Sequence, residues 1–287
     1  MAASDLRARS LSGIVLSVLI FGALLVGFDL VLGAIIPAIG GLALWEFYAA
    51  LENRGIHTFR RLGTGCGVFF LLASWAILSG RMPHMSQPLF EWIGMLVLLL
   101  GLLTRQVFDR SQATPVITIA VTIFGMLYVA WLLNFVTQLI YFPPAGENGR
   151  FLAFFLIVVT KMTDIGAFFV GRRFGRHKMM PILSPKKTWE GLVGGIIFAA
   201  GSGFLLVALL PEQLSLIRPR WILVLGILIA GTSVVGDLAE SVVKRDARVK
   251  DSGSIIPGIG GALDLIDSIL FTAPILFLWL QFVHLPP

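Results

Sequence analysis

The chain has 287 residues, 57% of them hydrophobic and 13% charged, with a formal net charge of +6. A soluble domain carries about 25% charged residues, so this composition, at a mean hydropathy of +0.90, excludes a water-soluble fold and points to an all-α polytopic membrane protein. The positive balance then reads as topology and attraction to anionic headgroups, with no nucleic acid as partner, and the single Cys66 excludes an internal disulfide.

A span needs roughly 20 apolar residues. Backbone in hydrocarbon must satisfy its own hydrogen bonds, which makes each span a helix. The sequence predicts nine, at about 11–28, 31–51, 63–80, 87–103, 114–141, 151–171, 192–210, 220–239 and 267–284. Arg7 and Arg9 precede the first, but no small-residue cleavage site follows, so an uncleaved span is expected rather than a signal peptide. Residues 1–150 read as an N-terminal region of apolar helices with short, weakly charged connections. Its intramembrane acids, Glu46 and Glu91, stand apart from other charges near span ends and read as interfacial or hydrogen-bonded structural acids. Residues 151–287 read as the C-terminal region and hold nearly all the polar clusters. In the seventh span Gly191, Gly195, Ala199 and Gly203 form a stripe of small residues, the pattern of close helix packing. With the N-terminus in the cytoplasm, 17 of the 22 Lys and Arg residues fall on the cytoplasmic side and 4 on the other. That bias fits an odd number of spans and a C-terminus outside.

Three clusters on that cytoplasmic side carry the chemistry. In the sixth span Lys161 and Asp164 form an i,i+3 pair. They either neutralise each other in the membrane or serve a polar site. The next loop contains SPKKTWEG, Ser184 to Gly191, where Lys186 and Lys187 are compact cations suited to phosphate oxygens and Ser184 is a donor to the same group. The eighth span ends with Asp237, Glu240, Ser241, Lys244 and Arg248 on one helical face. A turn with Pro257, Gly258, Gly260 and Gly261 leads to Asp264 and Asp267, again i,i+3. Adjacent carboxylates repel unless protonated or bridged by a cation. Mg²⁺ takes one or two carboxylates plus substrate phosphates; the alternative for these acids is capping of a helix start. The four histidines show no zinc spacing.

The third cluster resembles the signature of the phosphatidate cytidylyltransferase, or CDP-diacylglycerol synthase, family. That pattern runs S-x-x-K-R-x4-K-D and then P-G-H-G-G-x-x-D-R-x-D. Ser241, Lys244, Arg245, Lys250, Asp251, Pro257, Gly258, Gly260, Gly261, Asp264 and Asp267 match it. SPKKTWEG and the D-x-G-A-x-x-x-G-R-x-F-G run from Asp164 to Gly175 also look like family segments. Two positions depart: Ile259 stands for the usual His and Leu265 for the usual Arg.

The resemblance implies CMP transfer from CTP to phosphatidate, giving CDP-diacylglycerol and pyrophosphate, at a site on the cytoplasmic face of a bacterial inner membrane. It implies Mg²⁺ on Asp237, Asp264 and Asp267, and leaves open a second, monovalent cation. Ser184, Lys186, Lys187, Lys244, Arg245 and Lys250 are the expected phosphate binders. Asp251 is expected as a ligand or an orienting group and Asp164 as a further member. Membrane lipids are the surrounding partners, and a homodimer is compatible with the chain. A CTP-dependent lipid kinase or an ion-coupled transporter is the alternative. Charges gathered at one face, rather than acids deep in several spans, favour the transferase.

Overall fold

Long apolar runs with no water for their backbone groups coil into helices, and the structure, a computed structural model, shows them. It describes residues 18–109, 114–142, 148–249, 253 and 260–284. A short helix α1 (18–26) precedes α2 (Asp29–Glu52), α3 (Arg60–Leu78), α4 (Gln87–Phe108) and α5 (Pro115–Gly125). A π-helical segment, Met126–Trp131, joins α5 to α6 (Leu132–Ile140) in one span. Then come α7 (Gly149–Phe174), α8 (Trp189–Leu209), α9 (Ile222–Asp246) and α10 (Ala262–His284). Among the described residues eight segments are long and apolar enough to cross a membrane. They coincide with the second to ninth predicted spans; the first, 11–28, lies partly outside the described residues. The protein is a multi-pass membrane protein.

One feature departs from an all-helical reading. β1 (Lys178–Met180) and β2 (Ser184–Thr188) form an antiparallel hairpin, with Lys178 opposite Thr188 and Met180 opposite Ser184. Strands this short and this basic lack the alternating apolar residues that announce a strand. Thr188 ends β2 and caps α8, its Oγ1 accepting the Gly191 N–H at 3.1 Å.

By contacts the chain forms two compact units. The first comprises 1–137 and 246–265. Within it α2 and α3 pack glycine against side chain: Gly33 on Trp75, Gly40 on Leu71, Gly67 on Leu44. Tyr48 Oη donates to the Thr122 carbonyl at 2.7 Å. Glu91 is a hydrogen-bonded acid near the start of α4. It accepts from Gln87 Nε2 at 3.0 Å and Asn134 Nδ2 at 3.2 Å, and Ser74 donates to Asn134 at 2.5 Å, so a partly buried polar knot ties α3, α4 and α6.

The second unit comprises 138–245 and 266–287. Here α7 lies against α8 through the predicted small residues. A Cβ on Gly194 would fall 2.4 Å from Val170, and one on Gly195 3.1 Å from Thr163. α9 meets α8 at Gly226, 3.1 Å from the backbone of Ala200 by the same measure. Thr160 and Thr272 hydroxyls pair at 3.0 Å between α7 and α10.

Candidate active site

The close approach of α9 to α10 begins at Gly236. A Cβ there would sit 2.7 Å from the Asp267 carbonyl oxygen. Only a residue without a side chain lets the helices meet so closely, and the next residue on α9 is Asp237. Ser268 Oγ donates to Asp237 Oδ1 at 2.5 Å and lies 3.2 Å from Asp267 Oδ1. The Asp267 carboxylate also accepts the Ser268 N–H at 2.6 Å. Asp237 and Asp267 are thus joined through one hydroxyl.

The hairpin brings the cation. Side chains alternate along a strand, so Lys187 turns inward while Lys186 is exposed. Lys187 Nζ lies 2.9 Å from Asp237 Oδ2 and donates to the Val234 carbonyl at 3.1 Å. From α7, Asp164 Oδ1 accepts from Ser233 Oγ at 3.0 Å, one turn before Asp237, and Lys161 Nζ is 3.8 Å from Asp164 Oδ2. One turn after Asp237, the buried Glu240 pairs with Lys244.

The second unit therefore gathers Lys161, Asp164, Lys187, Asp237, Glu240, Lys244 and Asp267. The Lys161–Asp164 pair and the polar site, which the sequence left as alternatives, are both present. Ser184 lies in β2 opposite Met180, and Arg245 is exposed at the end of α9. Asp264 and Leu265 belong to the first unit, in the first turns of α10. There Asp264 Oδ2 accepts the Gly261 N–H at 2.9 Å, the capping contact. Lys250, Asp251, Pro257, Gly258 and Ile259 lie outside the described residues.

Four participants were not among the expected site residues: Lys161, which the sequence offered only as the partner of Asp164 or part of a polar site, Ser233, Ser268 and Glu240. Ser233 and Ser268 are serines in apolar helices, and only their neighbours in space give them meaning. Glu240 was visible on the polar face of α9, three residues past Asp237, and that spacing was the signal for it.

The donors fit a hard divalent cation. Among the described residues of this cluster four carboxyl groups (Asp164, Asp237, Glu240, Asp267) lie with three ammonium groups (Lys161, Lys187, Lys244). The Ser268 hydroxyl has one proton to share between two carboxylates. Among the described residues no three His, Cys, Asp or Glu side chains form a ready-made metal cage. The arrangement suits Mg²⁺, which is bound by one or two carboxylates and completed by phosphate oxygens and water.

The comparisons with known proteins concern the chain as a whole. The Cytidylyltransferase family matches residues 7–283. A phosphatidate cytidylyltransferase of Haemophilus influenzae is 32% identical over 288 residues, covering 94% of this chain and 96% of that protein. One of Bacillus subtilis is 32% identical over 277 residues, covering 95% and 97%. An uncharacterized protein of Escherichia coli, YnbB, is 38% identical over 161 residues, 56% of this chain but only about half, 51%, of that protein's length. With a family match over nearly the whole chain and relatives aligned end to end, the chain belongs to the cytidylyltransferase family.

Proposed function

We propose that the protein transfers CMP from CTP to phosphatidate, forming CDP-diacylglycerol and pyrophosphate, and that the cluster around Asp237 is where it does so. A phosphate oxygen of phosphatidate attacks the α-phosphorus of CTP. A new P–O–P link forms, the α–β anhydride bond breaks, and its electron pair leaves with pyrophosphate. The substrate brings its own nucleophile, so the enzyme needs no covalent one. Its task is to hold two mutually repelling polyanions together and to stabilise charge as it spreads, which is electrostatic work.

The observation that carries this reading is the pair of carboxylates, Asp237 and Asp267, under Ser268 with Lys187 against one of them. Asp237 and Asp267 would hold Mg²⁺, which when bound neutralises phosphate oxygens and the departing pyrophosphate; Asp264 is proposed as a third contributor. Lys187 is placed to exchange its contact with Asp237 for a phosphate oxygen. Lys161 holds Asp164, and Lys244 holds Glu240, so those acids do not repel the incoming substrates. Ser184, Lys186, Arg245 and Lys250 are the proposed outer phosphate contacts, with Asp251 in support. A second, monovalent cation remains part of the proposal.

The positive-charge bias supports a cytoplasmic N-terminus, nine spans, an external C-terminus and a site facing the cytosol of a bacterial inner membrane. CTP would arrive from the cytosol while the acyl chains stay in lipid. The test is initial-rate CDP-diacylglycerol formation by purified protein from labelled CTP in phosphatidate micelles, with and without Mg²⁺. Turnover that needs Mg²⁺ supports the reading. Full turnover in excess chelator refutes the metal assignment, and no turnover with Mg²⁺ refutes the activity.

A further inference from the structure

α10 starts without a side chain at its N-cap position. The first N–H groups of a helix have no partner inside it, and Ser, Thr, Asp or Asn at the N-cap usually supplies one. Here that position is Gly261, which has no side chain. Two carboxylates stand in. Asp264, in the first turn, reaches back to the Gly261 N–H at 2.9 Å, half of a capping box. The other comes from α2: Glu46 Oε2 accepts the Leu263 N–H at 3.2 Å across 217 residues of sequence. Glu46 is only 2% exposed. It is a buried, hydrogen-bonded acid, one of the two settings the sequence suggested.

The same carboxylate lies against Gly253. A Cβ on Gly253 would fall 2.2 Å from Glu46 Oε1, so the backbone of that residue passes close to the acid. Just beyond the end of α2, Arg54 pairs with Asp246, the last residue of α9. Within the first unit, α2 and the residue after its end turn thus fasten the 246–265 segment near both of its ends, and one fastening is a buried acid.

We infer that Glu46 is a positioning residue for the reaction: it fixes Gly253 and the first turn of α10, and with that turn the carboxylate of Asp264. The inference rests on the active-site reading above. A carboxylate suits the task because either oxygen can accept a hydrogen bond and its negative charge is favoured at a helix N-terminus. A glutamine keeps one acceptor and places an amide donor where the other was.

The experiment uses the purified full-length protein with kcat and KM measured for CTP and phosphatidate and Tm measured in the same detergent. Glu46→Ala lowers kcat at least about tenfold with KM for CTP within about threefold, and Glu46→Gln lies between it and wild type. A merely structural Glu46 would lower Tm and leave kcat per folded enzyme unchanged, and that result overturns the inference. Gly253→Ala carries the test if Glu46→Ala does not fold, because it disturbs the same contact from a loop. Alone it lowers kcat. Combined with Glu46→Asp, which draws the carboxylate back, it costs less than the product of the two single losses. Independent multiplication of the losses overturns the inference. Asp267→Asn runs beside these variants. If it abolishes turnover while Glu46→Ala keeps the wild-type kcat, only the positioning role falls. If Asp267→Asn itself keeps the wild-type rate, the active-site reading falls.

Discussion

At the scale of single residues, charge decides the outcome. Asp267→Asn and Asp237→Asn keep size and hydrogen-bonding shape but remove a negative charge from a pair joined through Ser268. Each is expected to lower kcat by two or more orders of magnitude, roughly 3 kcal/mol of transition-state stabilisation, in expression-normalised initial rates. Lys187→Ala removes the proposed phosphate contact and leaves the carboxylates in place, so its effect is expected mainly in KM for CTP or phosphatidate. Ile259→Ala removes no polar group, and near-normal turnover is expected. An inactive Ile259→Ala beside active Asp variants would place the catalytic centre elsewhere. The acids and lysines of this site were legible because charge in an apolar chain is conspicuous. Ser233, Ser268 and the true setting of Glu46 were not, because a lone serine or acid gains its role only from partners distant in sequence.

At the scale of elements, close packing sets the geometry of the carboxylate pair. Gly236→Ala would put a Cβ 2.7 Å from the Asp267 carbonyl oxygen, and backbone cannot swing aside as a flexible side chain can. Overpacking of this kind costs about 1–3 kcal/mol. The expected result is a lower Tm together with a fall in kcat, since the helices separate where Asp237 and Asp267 meet. Gly201→Ala is the control: nothing lies within 4 Å of its Cβ position, and both quantities should stay near wild type. The small-residue stripe of α8 was readable in advance because its spacing follows the helical repeat. The hairpin was hidden because its strands are short and basic, yet it determines which of the two adjacent lysines, Lys186 or Lys187, turns toward Asp237.

At the scale of the whole molecule, hydropathy was enough to locate eight spans, with ends differing by a few residues. Helices outrun their apolar cores: α9 continues to Asp246 although hydrophobicity fades near 239, because its polar face has partners to pair with. The grouping of 246–265 with the first 137 residues was invisible to a linear reading, which saw a boundary near residue 150 and a signature lying wholly after it. Orientation is tested with single cysteines in a Cys66→Ser background. Probes in the 172–190 and 245–262 loops should be labelled from the cytoplasmic side and a probe at the C-terminus from the outside. A cytoplasmic C-terminus would change the span count by an odd number.

The hydrogen bond from Leu263 to Glu46 spans 217 residues, and it has a consequence in time. At about 5–20 residues per second of synthesis, α2 emerges roughly 10–40 s before the backbone group it will cap exists. During that interval Glu46 belongs to a helix already eligible for insertion, while α10 has yet to leave the ribosome. Completing this contact is therefore among the last events in the protein's biogenesis. A chain stopped before residue 262 would leave the N-terminal helices without the α10 start that Glu46 contacts. Such a chain should be degraded faster in pulse-chase than one stopped after α10.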